Sequence, residues 1–187
     1  MGSFNFGVVA GVTKPHISQL ISQTDWVKRG DNLLLFGASG IGKTHLASST
    51  GYGLIEAGIR VKFVAATALV QSLQRAKEAL RLSDALARLD KYDVLIIDDL
   101  GYVRKTEQES SVLFELIAHR YERLSLVITS NQDFEHWDKL FEDTIMTVAA
   151  IDRLVHHATI LQCMGESYRR KPHSKSRPHR FTDNRPT

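Results

Sequence analysis

The chain has 187 residues, of which 43% are hydrophobic and 24% are charged. This size and balance fit one compact soluble domain with a hydrophobic core of ordinary size. The single cysteine, Cys163, excludes an internal disulfide and a cysteine-rich zinc site, so a cytoplasmic protein is expected. No stretch approaches the roughly 20 apolar residues of a membrane span, and residues 1–6 lack the features of a signal peptide.

The net charge of +3 is unevenly distributed along the chain. Residues 166–187 contain seven Lys or Arg against Glu166 and Asp183, together with three of the four prolines. This composition predicts a disordered basic tail. Such a tail either serves solubility or binds nucleic-acid phosphates, which release counterions when Lys and Arg approach them.

Apolar periodicity alternates between helices and strands. Residues 15–28 have the spacing of a helix that starts at a proline. Short apolar runs predict strands at residues 32–36, 61–64, 93–98, 125–130 and 158–163. Helical spacing covers residues 43–57, 67–90, 107–122 and 145–157. The second of these four segments can break near Ser83 and Asp84, where a new helix cap can form.

Strands that alternate with helices predict an α/β fold with a five-stranded parallel sheet and helices on both faces. Unbroken apolar strands, such as residues 94–97, are the ones that such a sheet covers on both sides. We therefore divide the chain into a lead-in with one helix at residues 1–31, a core at residues 32–165 and the tail at residues 166–187.

A phosphate-binding motif follows the first strand of the core. It fits G-x-x-x-x-G-K-[ST], lies after an apolar strand and opens a helix, as its mechanism requires. Glycines let successive backbone N–H groups turn toward a phosphate, and the helix adds the positive end of its dipole. A ligand-free turn is the alternative, but a plain turn does not require Lys-Thr. The motif predicts that ATP or ADP binds to Gly37, Ala38, Ser39, Gly40, Ile41, Gly42, Lys43, Thr44 and His45.

A pair of carboxylates ends the third predicted strand. Ligands of parallel sheets bind at the carboxyl ends of strands, so Asp98 is expected beside the phosphate loop, where it would hold Mg²⁺ together with Thr44. Asp99 is placed to polarise the attacking water as a general base. The alternative is an ordinary strand end with solvated acids.

Asn131 follows the fourth strand in the run Thr129-Ser130-Asn131. Its amide can touch the γ-phosphate or the attacking water, although Asn after a strand is also common turn chemistry. Along the chain, the strand at residues 61–64 lies between the two motifs. Together with Asp99, it favours ATPases in which another strand is inserted between these motifs over small-molecule kinases and Ras-like switches.

Six sequence blocks carry a closer resemblance. They are NLLLFGASGIGKTHL (32–46), KYDVLIIDDLGYV (91–103), SVLFELIAHRYE (111–122), LVITSNQDFEHW (126–137), AAIDRLVHHATI (149–160) and GESYRR (165–170). In this order, over roughly residues 4–171, they resemble IstB-like proteins, the ATPase helper subunits of certain insertion-sequence transposons. Those proteins are similar to DnaC-like helicase loaders, and both belong to the AAA+ class.

The resemblance implies a P-loop NTPase of the AAA+ type whose lid domain is reduced or absent. It implies head-to-tail self-assembly on duplex DNA and cooperation with a DDE-type transposase in target selection. By motif match, residues 37–44 are Walker A, Asp98 and Asp99 are Walker B, and Asn131 is sensor 1. Arg153 fits an arginine finger that completes a neighbour's site, and Arg169 fits sensor 2. From the residues alone, Arg153 reads as a surface helix residue paired with an acid.

Two features depart from the family pattern. Many AAA+ proteins have Glu at the position of Asp99, whose side chain is shorter. Relatives also carry a further domain before the ATPase core, whereas residue 1 here lies close to that core.

Basic residues and histidines also lie outside these motifs. Arg104 and Lys105 are predicted to contact DNA phosphates without sequence preference, and a solvated surface is the alternative. His119, His156 and His157 lack a supporting set of acids or thiols along the sequence, which argues against a zinc site. The adjacent residues His156 and His157 are expected to point to different sides of a helix.

Four functions are compatible with these observations. A transposition helper and a loader of a replicative helicase would share the ATPase chemistry and differ in partner. A small-molecule phosphotransferase would need an arginine-rich lid and an acceptor pocket, and the core sequence offers neither. An adaptor that binds nucleotide without turnover is disfavoured by Asp99. Basal hydrolysis is expected to be weak, because Arg153 would come from another subunit.

Overall fold

The computed structural model describes residues 11–101, 106–132, 136–137 and 144–165. From the first strand onward, helices lie between successive strands along the chain, and all strand pairs are parallel, in the order β2-β3-β4-β1-β5. The predicted five-stranded parallel α/β fold is confirmed. The elements are α1 (Lys14–Ser22), α2 (Asp25–Lys28), β1 (Asn32–Phe36), α3 (Lys43–Glu56), β2 (Val61–Ala65), α4 (Ala66–Glu78), α5 (Leu82–Leu89), β3 (Val94–Asp98), α6 (Glu107–Arg120), β4 (Ser125–Ser130), α7 (Thr144–Val155) and β5 (Ala158–Gln162).

Helices cover both faces of the sheet. Successive side chains of a strand point to opposite faces, so neighbouring strand residues belong to two different cores. On one face, Leu34 and Leu95 pack in a core with residues of α4, α5, α6 and α7. On the other face, Leu33 and Ile96 pack in a second core with residues of α1, α2 and α3. Every residue of β1, β3 and β4 is buried, as their unbroken apolar runs predict. The edge strands β2 and β5 are only partly buried.

Strand β4 lies between β1 and β3 and pairs with both of them. The phosphate-binding motif after β1 and the acidic pair after β3 are therefore separated by one inserted strand, as predicted. The inserted strand is β4, however, whereas the strand at residues 61–64, which suggested the insertion, forms the edge strand β2. The end of β4 consequently lies between the two motifs.

Three predicted helices differ in the structure. Residues 15–28 form two helices, α1 and α2, instead of one. At the break, the indole N–H of Trp26 donates to the carbonyl oxygen of Leu20 (2.9 Å). In a continuous helix this carbonyl would accept a backbone hydrogen bond. Residues 67–90 break before Leu82 instead of near Ser83, because Leu80 adopts a left-handed φ of 56°. The helix predicted to reach residue 157 ends at Val155.

The end of α7 also corrects the expectation for the histidine pair. His156 and His157 lie in the turn before β5, and a ring nitrogen of each is 3.7 Å from Oε1 of Glu122. The prediction that they point to different sides of a helix is wrong, since neither belongs to the helix.

Several predictions fall outside the described residues. They are the basic tail at residues 166–187, the sensor-2 arginine Arg169 and the candidate DNA contacts Arg104 and Lys105. Within the described ranges, no helix combines the length and the apolar character needed to cross a membrane.

Candidate functional site

A cleft of about 610 Å³ opens where the phosphate-binding loop meets the carboxyl ends of β2 and β3. Eight of the residues predicted for the site line it, together with Ala65 and Thr67, which belong to no recognised motif. The lining residues are Ser39, Gly40, Gly42, Lys43, Thr44, His45, Ala65, Thr67, Asp98 and Asp99. The structure thus brings the two predicted motifs to one cavity.

The glycine before helix α3 sets the geometry of the loop. Gly42 has a φ of 102°, a conformation that residues with a side chain rarely adopt, and it is the N-cap residue of α3. None of the described side chains caps this end of the helix. Because Lys43, Thr44 and His45 form its first turn and all line the cleft, the positive end of the helix dipole lies at the cleft wall.

The lysine of the motif lies inside the curve of the loop. Lys43 is 5% exposed, and its Nζ donates to the carbonyl oxygens of Gly37 (2.7 Å) and Ala38 (3.0 Å). Ile41, on the same loop, is buried in the core against α3 and β1. The loop is therefore anchored by an apolar side chain and holds a positive charge beside its own backbone.

The hydroxyl of Thr129 connects the two predicted carboxylate residues. Thr129 is fully buried at the end of β4, where its Oγ1 donates to Asp98 Oδ1 (2.7 Å) and accepts from the backbone N–H of Asp99 (2.9 Å). The backbone N–H of Leu100 then donates to the carbonyl oxygen of Thr129 (2.9 Å). Thr129 thereby fixes both the carboxylate of Asp98 and the chain direction after β3.

The backbone at Asp99 turns this side chain out of the strand. Asp99 has a φ of 59°, in the left-handed region, which Asp tolerates better than most residues with a side chain. Asp98 is 8% exposed, whereas Asp99 is exposed and lines the cleft. The two acids therefore occupy different environments, one buried and hydrogen-bonded and the other open to solvent.

Asn131 and Arg153 are not among the described residues that line the cleft. Asn131 adjoins the loop after the acidic pair, since a Cβ added to Gly101 would lie 2.7 Å from Asn131 Oδ1. Arg153 donates to the carbonyl oxygen of Ala149 (2.8 Å) on its own helix, and its guanidinium lies 5.2 Å from the ring centroid of Phe114. Arg153 thus packs on α6, outside the cleft of its own chain.

Sequence reasoning missed the role of Thr129 and the contribution of β2. The sequence signal for Thr129 is a hydroxyl residue at the end of the strand that pairs with β3. Ala65 and Thr67 give no signal, because a small residue and a threonine at a strand-to-helix junction fit many turns.

The comparisons with protein families and curated proteins agree with one another. The family described as IstB-like ATP binding protein matches residues 1–176. A putative insertion sequence ATP-binding protein of Sinorhizobium fredii is 51% identical over 178 residues, which cover 95% of this chain and 60% of that protein. The insertion sequence IS21 putative ATP-binding protein of Pseudomonas aeruginosa is 38% identical over 173 residues, covering 92% and 65%. The chain thus spans 60 to 65% of the length of these two relatives.

Solved structures show the same fold. The DnaC helicase loader superposes with a TM-score of 0.66 at 22% identity, over 82% of this chain and 92% of that one. DnaI superposes with a TM-score of 0.69 at 20% identity, over 88% and 90%. At these identities the likeness shows the fold alone, a parallel sheet with helices on both faces.

Proposed function

The chain belongs to the IstB-like ATP-binding protein family, and on that premise we propose that it binds and hydrolyses ATP with Mg²⁺ to assist a transposase in the use of target DNA. The observation that carries the proposal is the convergence of Lys43, Thr44 and Asp98 on one cleft. An ammonium, a hydroxyl and a carboxylate at the start of a helix and the end of a strand are the groups with which P-loop proteins hold a triphosphate and its metal.

The residues of the cleft fit both ligands. Thr44 and Asp98 offer oxygen donors, which Mg²⁺ prefers, and the phosphates would lie along the first turn of α3. On binding, the ammonium of Lys43 would exchange the carbonyl oxygens of Gly37 and Ala38 for phosphate oxygens. The metal supplies charge neutralisation on the phosphates when it is bound.

Asp99 is proposed as the base that orients and polarises the attacking water. Its exposure and its position on the cleft wall suit this role, whereas the buried Asp98 is committed to Thr129 and to the metal. Asn131 is proposed to contact the γ-phosphate or the water from the end of β4.

Arg153 is proposed to act in a neighbouring subunit. Its side chain packs against Phe114 outside its own cleft, so it can complete a site only when another subunit presents that site to it. Hydrolysis would therefore depend on head-to-tail assembly. Three residues outside the described ranges are also part of the proposal. Arg104 and Lys105 would contact duplex DNA, and Arg169 would contact the nucleotide.

A mixture of two inactive variants tests the proposed assembly. Arg153→Ala retains its own cleft but lacks the finger, and Asp99→Asn lacks the base but retains the finger. We expect each variant alone to hydrolyse ATP slowly, and the mixture with duplex DNA to recover hydrolysis at sites of the first variant that face the second. A mixture no faster than the sum of its parts would contradict a finger acting in trans.

A helicase loader is the second candidate, favoured by the fold of DnaC and DnaI. The 51% identity to a protein of an insertion sequence favours the transposition helper. Pull-down with a DDE-type transposase and with a replicative helicase, each with ATP and Mg²⁺, separates the two. If only the helicase were retained, helicase loading would replace assistance of a transposase as the proposed function.

A further inference from the structure

We propose a second metal site, independent of the nucleotide cleft, formed by Glu122, His156 and His157 and suited to Zn²⁺ or a similar transition metal. We call these three residues the Glu122 cluster. It lies between the turn after α6 and the turn after α7, at the amino ends of the strands, whereas the cleft lies at their carboxyl ends.

The donor atoms of the Glu122 cluster already lie close to a coordination geometry. Glu122 Oε1 is 3.7 Å from His156 Nδ1 and 3.7 Å from His157 Nε2, and all three donor atoms lie within 4.8 Å of one another. Zinc bonds of about 2.0–2.2 Å in a tetrahedron place neighbouring donors roughly 3.3–3.5 Å apart. Small side-chain rotations would therefore suffice to bind an ion, with water as a further ligand.

The backbones that carry the cluster are held in place by contacts of their own. Asn32 donates its backbone N–H to the carbonyl oxygen of His157 (2.7 Å), and its side chain donates to the carbonyl oxygen of Leu154 (3.1 Å). Its Oδ1 accepts from the backbone N–H of Leu126 (2.9 Å). One buried side chain thus ties the end of α7 to β4, near both turns.

The position of Glu122 requires a close approach of two turns and a strained backbone. Glu122 has a φ of 55°, and a Cβ added at Gly30 would lie 3.0 Å from the carbonyl carbon of Glu122. A left-handed conformation in a glutamate costs on the order of 1 kcal/mol and persists only where the surroundings impose it. The carboxylate is therefore presented to the histidine pair by a fixed turn.

The solvent exposure of the Glu122 cluster and its types of side chain both suit the binding of a metal ion. The side chains of Glu122, His156 and His157 are each about half exposed, so no rearrangement of the core is needed for entry. The hydroxyl of Tyr121 lies 2.8 Å from His156 Nδ1. A metal bound to His156 Nδ1 would displace this hydroxyl, whose hydrogen bond is exposed to solvent. An imidazole pair with one carboxylate is a ligand set that zinc and related metals use.

Bound metal would clamp the turn after α7 to the turn after α6. Arg153 lies on α7 less than one turn before His156, so the clamp would stiffen the helix that carries this residue. The proposal does not depend on nucleotide binding, since none of the residues of the Glu122 cluster lines the cleft.

Calorimetric titration of Zn²⁺ into the tag-free chain, with Co²⁺ absorption as a spectroscopic readout, tests the site. We expect one ion per chain with a dissociation constant of roughly 10 μM or tighter, and a tetrahedral Co²⁺ spectrum. The thermal midpoint should rise by about 5–10 °C at a 100-fold excess of Zn²⁺ over that constant. Glu122→Gln and His157→Ala should each weaken binding by about 10-fold or more.

Two controls remove other histidines. His16→Ala changes an exposed histidine on α1, and the double variant His173→Ala/His179→Ala removes those of the tail. Both should bind Zn²⁺ as the unmodified chain does. Binding that is absent, or that survives in His157→Ala and disappears in the tail variant, would overturn the proposal.

Discussion

The two ends of the parallel sheet both bury charged side chains, but these side chains have different partners. At the amino ends, Arg120 is 1% exposed and donates to the carbonyl oxygens of Leu89, Tyr92, Asp93 and Ser125. At the carboxyl ends, Lys43 and Asp98 are nearly as buried, yet both line an open cleft. Burial alone therefore does not separate a structural charge from a functional one.

The groups that surround each charged side chain distinguish the structural charge from the functional ones. Burial lowers the pKa of Arg120 to about 10, while Asp90 and Asp93 oppose this shift, and its hydrogen bonds join α6 to three other segments. The charges at the cleft instead face a space that a ligand can fill. Changes at the amino ends should thus cost stability, and changes at the carboxyl ends should cost activity.

The largest effect is expected for Asp99→Asn. Loss of the base should lower ATP hydrolysis by about 100- to 10,000-fold, while ATP affinity stays within about 3-fold. Asn tolerates the left-handed backbone of this position, so the thermal midpoint should move little. Phosphate release and fluorescent nucleotide titration measure the two quantities. Hydrolysis close to that of the unmodified chain would exclude Asp99 as the base.

The complementary change at the amino ends is Arg120→Met. It strips a donor from several buried carbonyl oxygens and should lower the free energy of unfolding by about 3 kcal/mol, or the thermal midpoint by roughly 8 °C. Nucleotide affinity of the folded protein should not change. Arg88→Met, at an exposed position on α5, is the matched control and should alter neither quantity. If Arg120→Met lowered the nucleotide affinity and left the free energy of unfolding unchanged, the role of Arg120 would be functional and not structural.

The contrast between the two ends also explains what the sequence predicted. The strands and the two motifs follow from local patterns, namely unbroken apolar runs and glycine, lysine and threonine at fixed spacing. Arg120 has no such pattern, because its carbonyl partners lie on segments that only the folded chain brings together. The position of the histidine pair is not predicted either, because apolar spacing alone does not mark Val155 as the residue at which α7 ends.

A smaller effect at the cleft is expected for Thr129→Val. Valine keeps the shape but cannot bridge Asp98 and the N–H of Asp99, so hydrolysis should fall by about 10-fold and stability by about 1–2 kcal/mol. Thr129→Ser keeps the hydroxyl and should retain most of the activity. Equal hydrolysis by the valine and serine variants would show that the bridge does not position the acids.

The smallest effect concerns acid stability at the amino ends. The guanidinium of Arg60 holds the pKa of Asp93 below its usual range, so the folded chain keeps this carboxylate charged to lower pH than the unfolded chain. The resulting stability is present above the unfolded pKa of about 4 and is lost as pH falls through the folded pKa. Arg60→Gln should therefore lower the thermal midpoint by a degree or two at pH 7, with a deficit that shrinks in acid. A deficit that is independent of pH would assign the effect to packing.

The cleft at the carboxyl ends is proposed to hold a triphosphate through Lys43. Calorimetric titration of ATP with Mg²⁺ into the unmodified chain and into Lys43→Ala tests it most directly. We expect one ATP to bind per chain, with an affinity that falls when Mg²⁺ is chelated. Lys43→Ala should lower the affinity by roughly 30-fold or more, which corresponds to about 2 kcal/mol for charge-assisted hydrogen bonds. Equal affinity in a folded Lys43→Ala chain would contradict it.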